Sequence, residues 1–158
     1  MFQKILDFPR NVKYGVQNLV KWFPVIWTDR WWDLYFIYPI LHKKLSMVEK
    51  ATRKYGHHVH AERDADKIKV CVLLLKRIMD DGYFKNAFKR HNEKWGDSNV
   101  SFEDSFIKIT YEKAKTEEDK KEERKDFKRA VEHEELLNQQ DINYLFKMMS
   151  KHLRTWWD

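Results

Sequence analysis

The chain reads as an all-α protein, a helical bundle of about five to six helices with a long charged helix near its C-terminal end and room for one short extended segment. Three observations carry that expectation. Apolar residues recur every three or four positions through most of the 158 residues. Four Gly and three Pro supply too little turn chemistry for a many-stranded sandwich or barrel. Hydrophobic residues make up 42% and aromatics 15%, too much for a chain disordered throughout. This length suits a single domain, 1–158, able to bury roughly 70% of its unfolded surface without a disulfide or metal. The lone Cys71 excludes an internal disulfide and fits a reducing, cytoplasmic setting.

The first helix is expected from about Asn11 to Phe23, with Val12, Val16, Leu19, Val20 and Phe23 on one stripe and Pro24 ending it. The segment 1–27 around it reads as an N-terminal helix or peripheral arm. Thr28 or Asp29 is placed to cap a second helix reaching about Tyr55, kinked or split at Pro39. Its buried stripe would be Trp31, Leu34, Tyr35, Tyr38, Leu41, Leu45 and Val48, and Gly56 would turn left-handed just past its end. A third helix, about Ala61 to Asp81, buries Ile68, Cys71, Val72, Leu75, Ile78 and Met79. Its stretch Val70 to Leu75 is apolar on every side, the mark of a helix in the middle of a bundle.

Gly82 closes that helix, and Tyr83 to Trp95 makes a fourth with Phe84, Ala87, Phe88, His91 and Trp95 on one side. Gly96 to Ser101 reads as loop, and Phe106 to Tyr111 alternates enough for a short strand or extended arm. Thr116-Glu117-Glu118-Asp119 forms a capping box with Asp replacing the usual Glu or Gln. It opens a charged helix over about 116–140, in which Phe127 is the only large apolar side chain between Glu117 and Arg129. Alternating signs suit a solvated face. Asp141 caps this helix or continues it into an amphipathic stretch carrying Ile142, Leu145, Phe146, Met149, Leu153 and Trp156.

Charge is uneven. Through residue 100 there are 19 Lys+Arg against 11 Asp+Glu, and from residue 101 onward 12 against 14. The first hundred residues therefore carry a positive field that gathers anions: nucleic acid, nucleotides, acidic lipids or the protein's own acidic tail. Lys4, Asp7, Arg10, Lys13 and Lys21 interrupt the N-terminal segment, so it lacks the apolar run of a signal peptide. The longest uncharged run, Leu34 to His42, is far below the ~20 residues that span a bilayer. Leu19, Val20, Trp22, Phe23, Val25, Ile26 and Trp27 lie among lysines, as in an interfacial helix. Covering a core is their expected use, and a membrane is not an expected partner.

No motif names a reaction. A glycine-rich phosphate loop, a GxSxG elbow and a paired HxT motif are all missing from the sequence. Cys71 lies on an apolar stripe and reads as core rather than nucleophile. His57, His58 and His60 crowd together before Glu62 and Asp64, yet they lack the HExxH spacing or a CxxC partner, so neither a metal nor another cofactor is expected. Asp80-Asp81 puts acid at a helix end that prefers a cation, and carboxylate catalysis from that pair alone is not expected.

Anion binding uses the same residues differently. Amides opening the third helix point outward with partial positive charge, and His57, His58, Arg63 and Lys67 would surround an anion there. The competing reading has His57 or His58 merely packing the start of the helix. Trp31-Trp32 and Trp156-Trp157 are adjacent pairs whose side chains diverge by roughly 100°, so one of each pair can be core and the other can serve as a stacking platform or subunit contact.

The stretch Gly56-His57-His58-Val59, the run Asp66 to Tyr83 (DKIKVCVLLLKRIMDDGY) and the terminal Trp156-Trp157-Asp158 together resemble a family of small helical proteins encoded by tailed bacteriophages. The likeness covers roughly residues 30–158. It implies a virus-encoded accessory protein acting in the bacterial cytoplasm, and it brings no residue-level chemistry. Small phage proteins of this kind often counter host defences, and one class sequesters cyclic or ADP-ribose-derived nucleotides. The resulting expectation is a non-enzymatic, homo-oligomeric binder of an anionic small ligand such as a cyclic nucleotide or ADP-ribose derivative. Trp31 or Trp32 and Tyr83 would stack on a base, while His57, His58, Arg63, Lys67 and Arg77 would meet phosphate. Alternatives are a nucleic-acid-binding protein and a module that blocks a host protein.

Overall fold

A computed structural model describes residues 2–80, 82–103 and 106–156, with the side chains of residues 2–7, 103 and 106 left undescribed. It is mostly helical. Five α-helices are present among the described residues: α1 Phe2–Thr28, α2 Ile37–Tyr55, α3 Ala61–Met79, α4 Gly82–Trp95 and α5 Glu117–His152. A two-stranded antiparallel sheet, β1 Ser98–Glu103 with β2 Phe106–Tyr111, separates α4 from α5. Asp81, Trp157 and Asp158, singled out in the sequence, lie outside the described residues.

The core forms where α2, α3 and the C-terminal half of α5 meet. Leu45 comes from α2, Ile68, Cys71, Leu74, Leu75 and Ile78 from α3, and Leu145 from α5. Trp156, just past α5, completes this cluster, and Tyr38, Leu41, Val48 and Met149 pack around it. At 36 residues α5 is about 54 Å long, so its N-terminal half runs beyond this core and packs on α4 instead. There Tyr83, Ala87, His91 and Trp95 are buried, with Phe127 resting on Phe88 and His91. The charged helix is therefore not solvated all round: Glu123 and Glu134 are buried on it.

Several local expectations change. Pro24 does not end α1, which continues to Thr28. The Thr28 hydroxyl donates to the Val25 carbonyl at 3.1 Å, and the Arg30 guanidinium donates to the Thr28 carbonyl, so side chains satisfy the helix end. The second helix does not begin at Thr28. A turn and a single 3-10 turn, Leu34–Phe36, capped by Asp33, come first. That leaves Pro39 in the first turn of α2, where its missing N–H costs no hydrogen bond and no kink is needed. Trp31 and Leu34 consequently fall off the stripe and are 89% and 87% exposed. The apolar stripe of α1 is exposed as well.

On α3, Val70 and Leu73 face outward and are uncovered, so the run Val70 to Leu75 is buried on one side only. Gly56 keeps φ at −66°, and its role is clearance rather than a left-handed turn. A Cβ there would stand 2.6 Å from the Ala61 Cβ. The left-handed glycine is Gly96, φ +83°, which swings the chain from α4 into β1. Residues 98–101, expected as loop, belong to that strand, pairing Ser98 with Tyr111 and Val100 with Ile109.

Candidate anion-binding groove

Lys43, Met47, Lys50 and Lys54 recur along α2 at steps of four, three and four, which places them on one face. Beside them stand Ala51 and Tyr55, and α1 contributes Lys21 from the opposite wall. Together these residues line a groove of about 440 Å³ that contains four lysines and no carboxylate. The acid closest in sequence, Glu49, turns to Arg53 at 2.8 Å, and Arg53 also donates to Asp66 at 2.8 Å. Lys21, Lys43 and Lys50 make no ion pair among the described residues. The Lys54 ammonium stands 5.1 Å from the centre of the Tyr55 ring, holding both at the groove edge.

A second cavity of about 300 Å³ shares Ala51 and Tyr55 with this groove and adds Thr52, Gly56, His57, His58 and Trp156. Trp156 is only 3% exposed, and its indole N–H has no acceptor among the described residues. Lysine groove and aromatic cavity thus adjoin at Ala51 and Tyr55 on the C-terminal half of α2. The arrangement can hold phosphate or another multivalent anion by charge, with a flat, partly apolar group against Tyr55 and the two histidines.

The expected site residues fall into three places. His57, His58, Arg63 and Lys67 do gather at the start of α3, but a buried carboxylate organises two of them. Asp64 accepts from the Lys67 ammonium at 3.0 Å, and His58 Nε2 lies 3.4 Å from its other oxygen. Burial pushes the Asp64 carboxyl up. The hydrogen bond and charge of Lys67, with His58 and Arg63, outweigh it and hold the group below its ordinary range. Lys67 is therefore committed within the protein, the His58 Nε2 is buried beside Asp64 without a hydrogen bond of its own, and His57 is the member that lines the cavity exposed.

Arg77 sits at the other end of α3, about 20 Å from Arg63 along the helix, with Tyr83 of α4 beside it. Both bind Asp141 of α5, Arg77 lies over the Tyr83 ring at 5.6 Å, and its Nε donates to the Tyr83 hydroxyl at 3.0 Å. Burial, and then the Asp141 carboxylate, push the Tyr83 phenol up to about 12. These residues line a cavity of about 540 Å³ with Lys89, Arg90 and His133, but Glu93 and the buried Glu134 share it, and Glu134 takes Arg90. Its mixed charge makes it a poorer anion site than the lysine groove. Trp31 and Trp32 occupy the turn after α1, where their rings meet edge-on at 5.5 Å and no ring contact joins them to Tyr83. One small ligand cannot touch all three groups.

The residues that sequence reasoning missed are Lys21, Lys43, Lys50, Lys54 and Tyr55. The spacing of Lys43, Lys50 and Lys54 on one helix face was a readable signal, whereas the approach of Lys21 from α1 is tertiary. No protein-family model, curated protein or solved structure matches the chain significantly. Among the described residues no helix is long and apolar enough to cross a membrane, and no group of three His, Cys, Asp or Glu side chains is placed to hold a metal.

Proposed function

We propose that the protein is a non-enzymatic binder of a phosphate-bearing small ligand, with a nucleotide as the preferred class. The single observation that carries this reading is the groove in which four lysines meet no carboxylate. Uncompensated cations held together raise the local concentration of anions, and each charge-assisted contact adds more than a neutral one. The adjoining Tyr55–His57–Trp156 cavity gives a base a place to lie beside its phosphates. His57 keeps its expected role. Lys43, Lys50, Lys54 and Lys21 take over the phosphate contacts first assigned to Arg63, Lys67 and Arg77, and Tyr55 replaces the tryptophan pair as stacking surface. The phage resemblance adds a purpose, sequestration of a nucleotide immune signal in the host cytoplasm.

Calorimetry with pyrophosphate, cyclic di- and trinucleotides and ADP-ribose tests this. Micromolar binding to one nucleotide, weakened about tenfold or more by the paired substitutions Lys43→Ala and Lys50→Ala, is expected. No heat with any of them at micromolar protein refutes it. Affinity for long single strands that collapses steeply between 50 and 200 mM salt, with none for small ligands, would instead make the protein a nucleic-acid binder.

A further inference from the structure

Helix α1 presents an apolar face that nothing in its own chain covers. Val12, Val16, Leu19, Phe23 and Ile26 run along it and are 48–71% exposed, as are Val20 and Trp27 beside them. The helix meets the rest of the protein on another side, where Trp22 and Val25 are half-buried and Lys21 faces α2 across the groove. Apolar exposure does not stop at the helix end. Trp31, Trp32 and Leu34, in the turns that follow, are 89%, 67% and 87% exposed, and no helical spacing accounts for them.

The charge of this segment is one-sided. From Phe8 to Thr28 there is no Asp or Glu, whereas Arg10, Lys13 and Lys21 are all exposed. Lys13 borders the apolar stripe directly, about 20° around the helix from Val20 at 100° per residue. Its four-carbon stem can follow the apolar surface while its ammonium reaches a neighbouring anion. Asp29 and Asp33 come only past the helix end, where Arg30 lies between them and Asp33 is taken up in capping the next turn.

We infer that this face lies on an anionic lipid surface, with α1 along the plane of the membrane. A helix of 27 residues with Leu, Phe and Trp on its apolar face, and cations as the only charges from Phe8 onward, has the composition of an interfacial helix. Exposed tryptophan favours the boundary between headgroups and acyl chains. No helix among the described residues is long and apolar enough to cross a membrane, so the contact is with the surface. A second copy of α1 is a poorer occupant. A two-fold contact would bring like cations together, with no acid between Phe8 and Thr28 of either helix to pair them. The inference is independent of the ligand reading, because the stripe and the lysine groove lie on different sides of α1.

Flotation of the full chain with lipid vesicles tests it. The protein should rise with vesicles of phosphatidylserine and phosphatidylcholine in equal parts. It should bind pure phosphatidylcholine at least about tenfold less, because each Lys or Arg near an anionic surface adds roughly fivefold. Leu19→Asp should abolish flotation with an unchanged thermal midpoint for the α2–α3–α5 core, since Leu19 lies outside that cluster. Lys13→Glu should weaken binding about fivefold or more. Lys43→Ala together with Lys50→Ala should leave flotation in place, which separates the stripe from headgroup phosphates caught in the groove. Protein that stays at the bottom with both vesicles overturns the inference, as does flotation that survives Leu19→Asp or is lost with the two groove lysines. A wild-type dimer that never floats and that Leu19→Asp converts to monomer also overturns it, and assigns the face to a second copy.

Discussion

Asp64 organises the start of α3 more than the histidines that draw the eye in the sequence. Its carboxylate is buried, paired with Lys67 and approached by His58, and held below its ordinary range. The folded carboxyl thus releases its proton more readily than the unfolded one. Its stabilisation is fully present above about pH 4 and is lost as the pH falls through the lower folded value. Asp64→Asn should cost about 1–3 kcal/mol near neutrality. The gap in urea midpoint between wild type and variant should then close between pH 5 and 2, and a constant gap would show that charge is not what Asp64 supplies. Cys71 illustrates the opposite case, a residue read correctly from its place on an apolar stripe. It is fully buried, and burial pushes its thiol up to about 11, so it should react with a thiol reagent only when the protein unfolds. Measurable modification of the native protein on the timescale of free cysteine would contradict that burial.

Elements whose ends are written in local chemistry were legible, and those whose ends depend on distant packing were not. The N-terminus of α5 belongs to the first kind. Thr116 accepts from the Asp119 amide at 3.0 Å, and the Asp119 carboxylate accepts from the Thr116 amide at 2.9 Å, so Asp serves at the third position of the box. Thr116→Ala should lower stability by about 1 kcal/mol, read as a shift in denaturant midpoint with unchanged m. Leu145 sits on the same helix but is completely buried against α3, and Leu145→Ala should cost about 2–5 kcal/mol. If the two losses were equal, the core would not lie where α2, α3 and α5 meet. The entry of α2 belongs to the second kind. Periodicity alone extended it back through Trp31, but Asp33 accepts from the Tyr35 amide at 2.9 Å and fixes a 3-10 turn instead. The Tyr35 hydroxyl donates to the Met79 carbonyl at the far end of α3, a contact 44 residues away that no local pattern announces. The candidate site divides the same way: three of its lysines share a helical face, and the fourth arrives from another helix.

At the scale of the whole molecule, the positive balance of the first hundred residues concentrates on the α1–α2 side, while the acid-rich α5 neutralises cations elsewhere. Asp141 holds Arg77, Glu134 holds Arg90, and Asp126 holds Lys94. The lysine groove escapes that neutralisation because α5 does not reach it. It does depend on α1, which supplies Lys21 from the wall opposite α2. Lys21→Ala should therefore weaken pyrophosphate binding several-fold in calorimetry, as Lys43→Ala should, because each removes one of the four cations gathered there. Affinity equal in wild type and Lys21→Ala would show that the α2 lysines hold the anion without any help from α1.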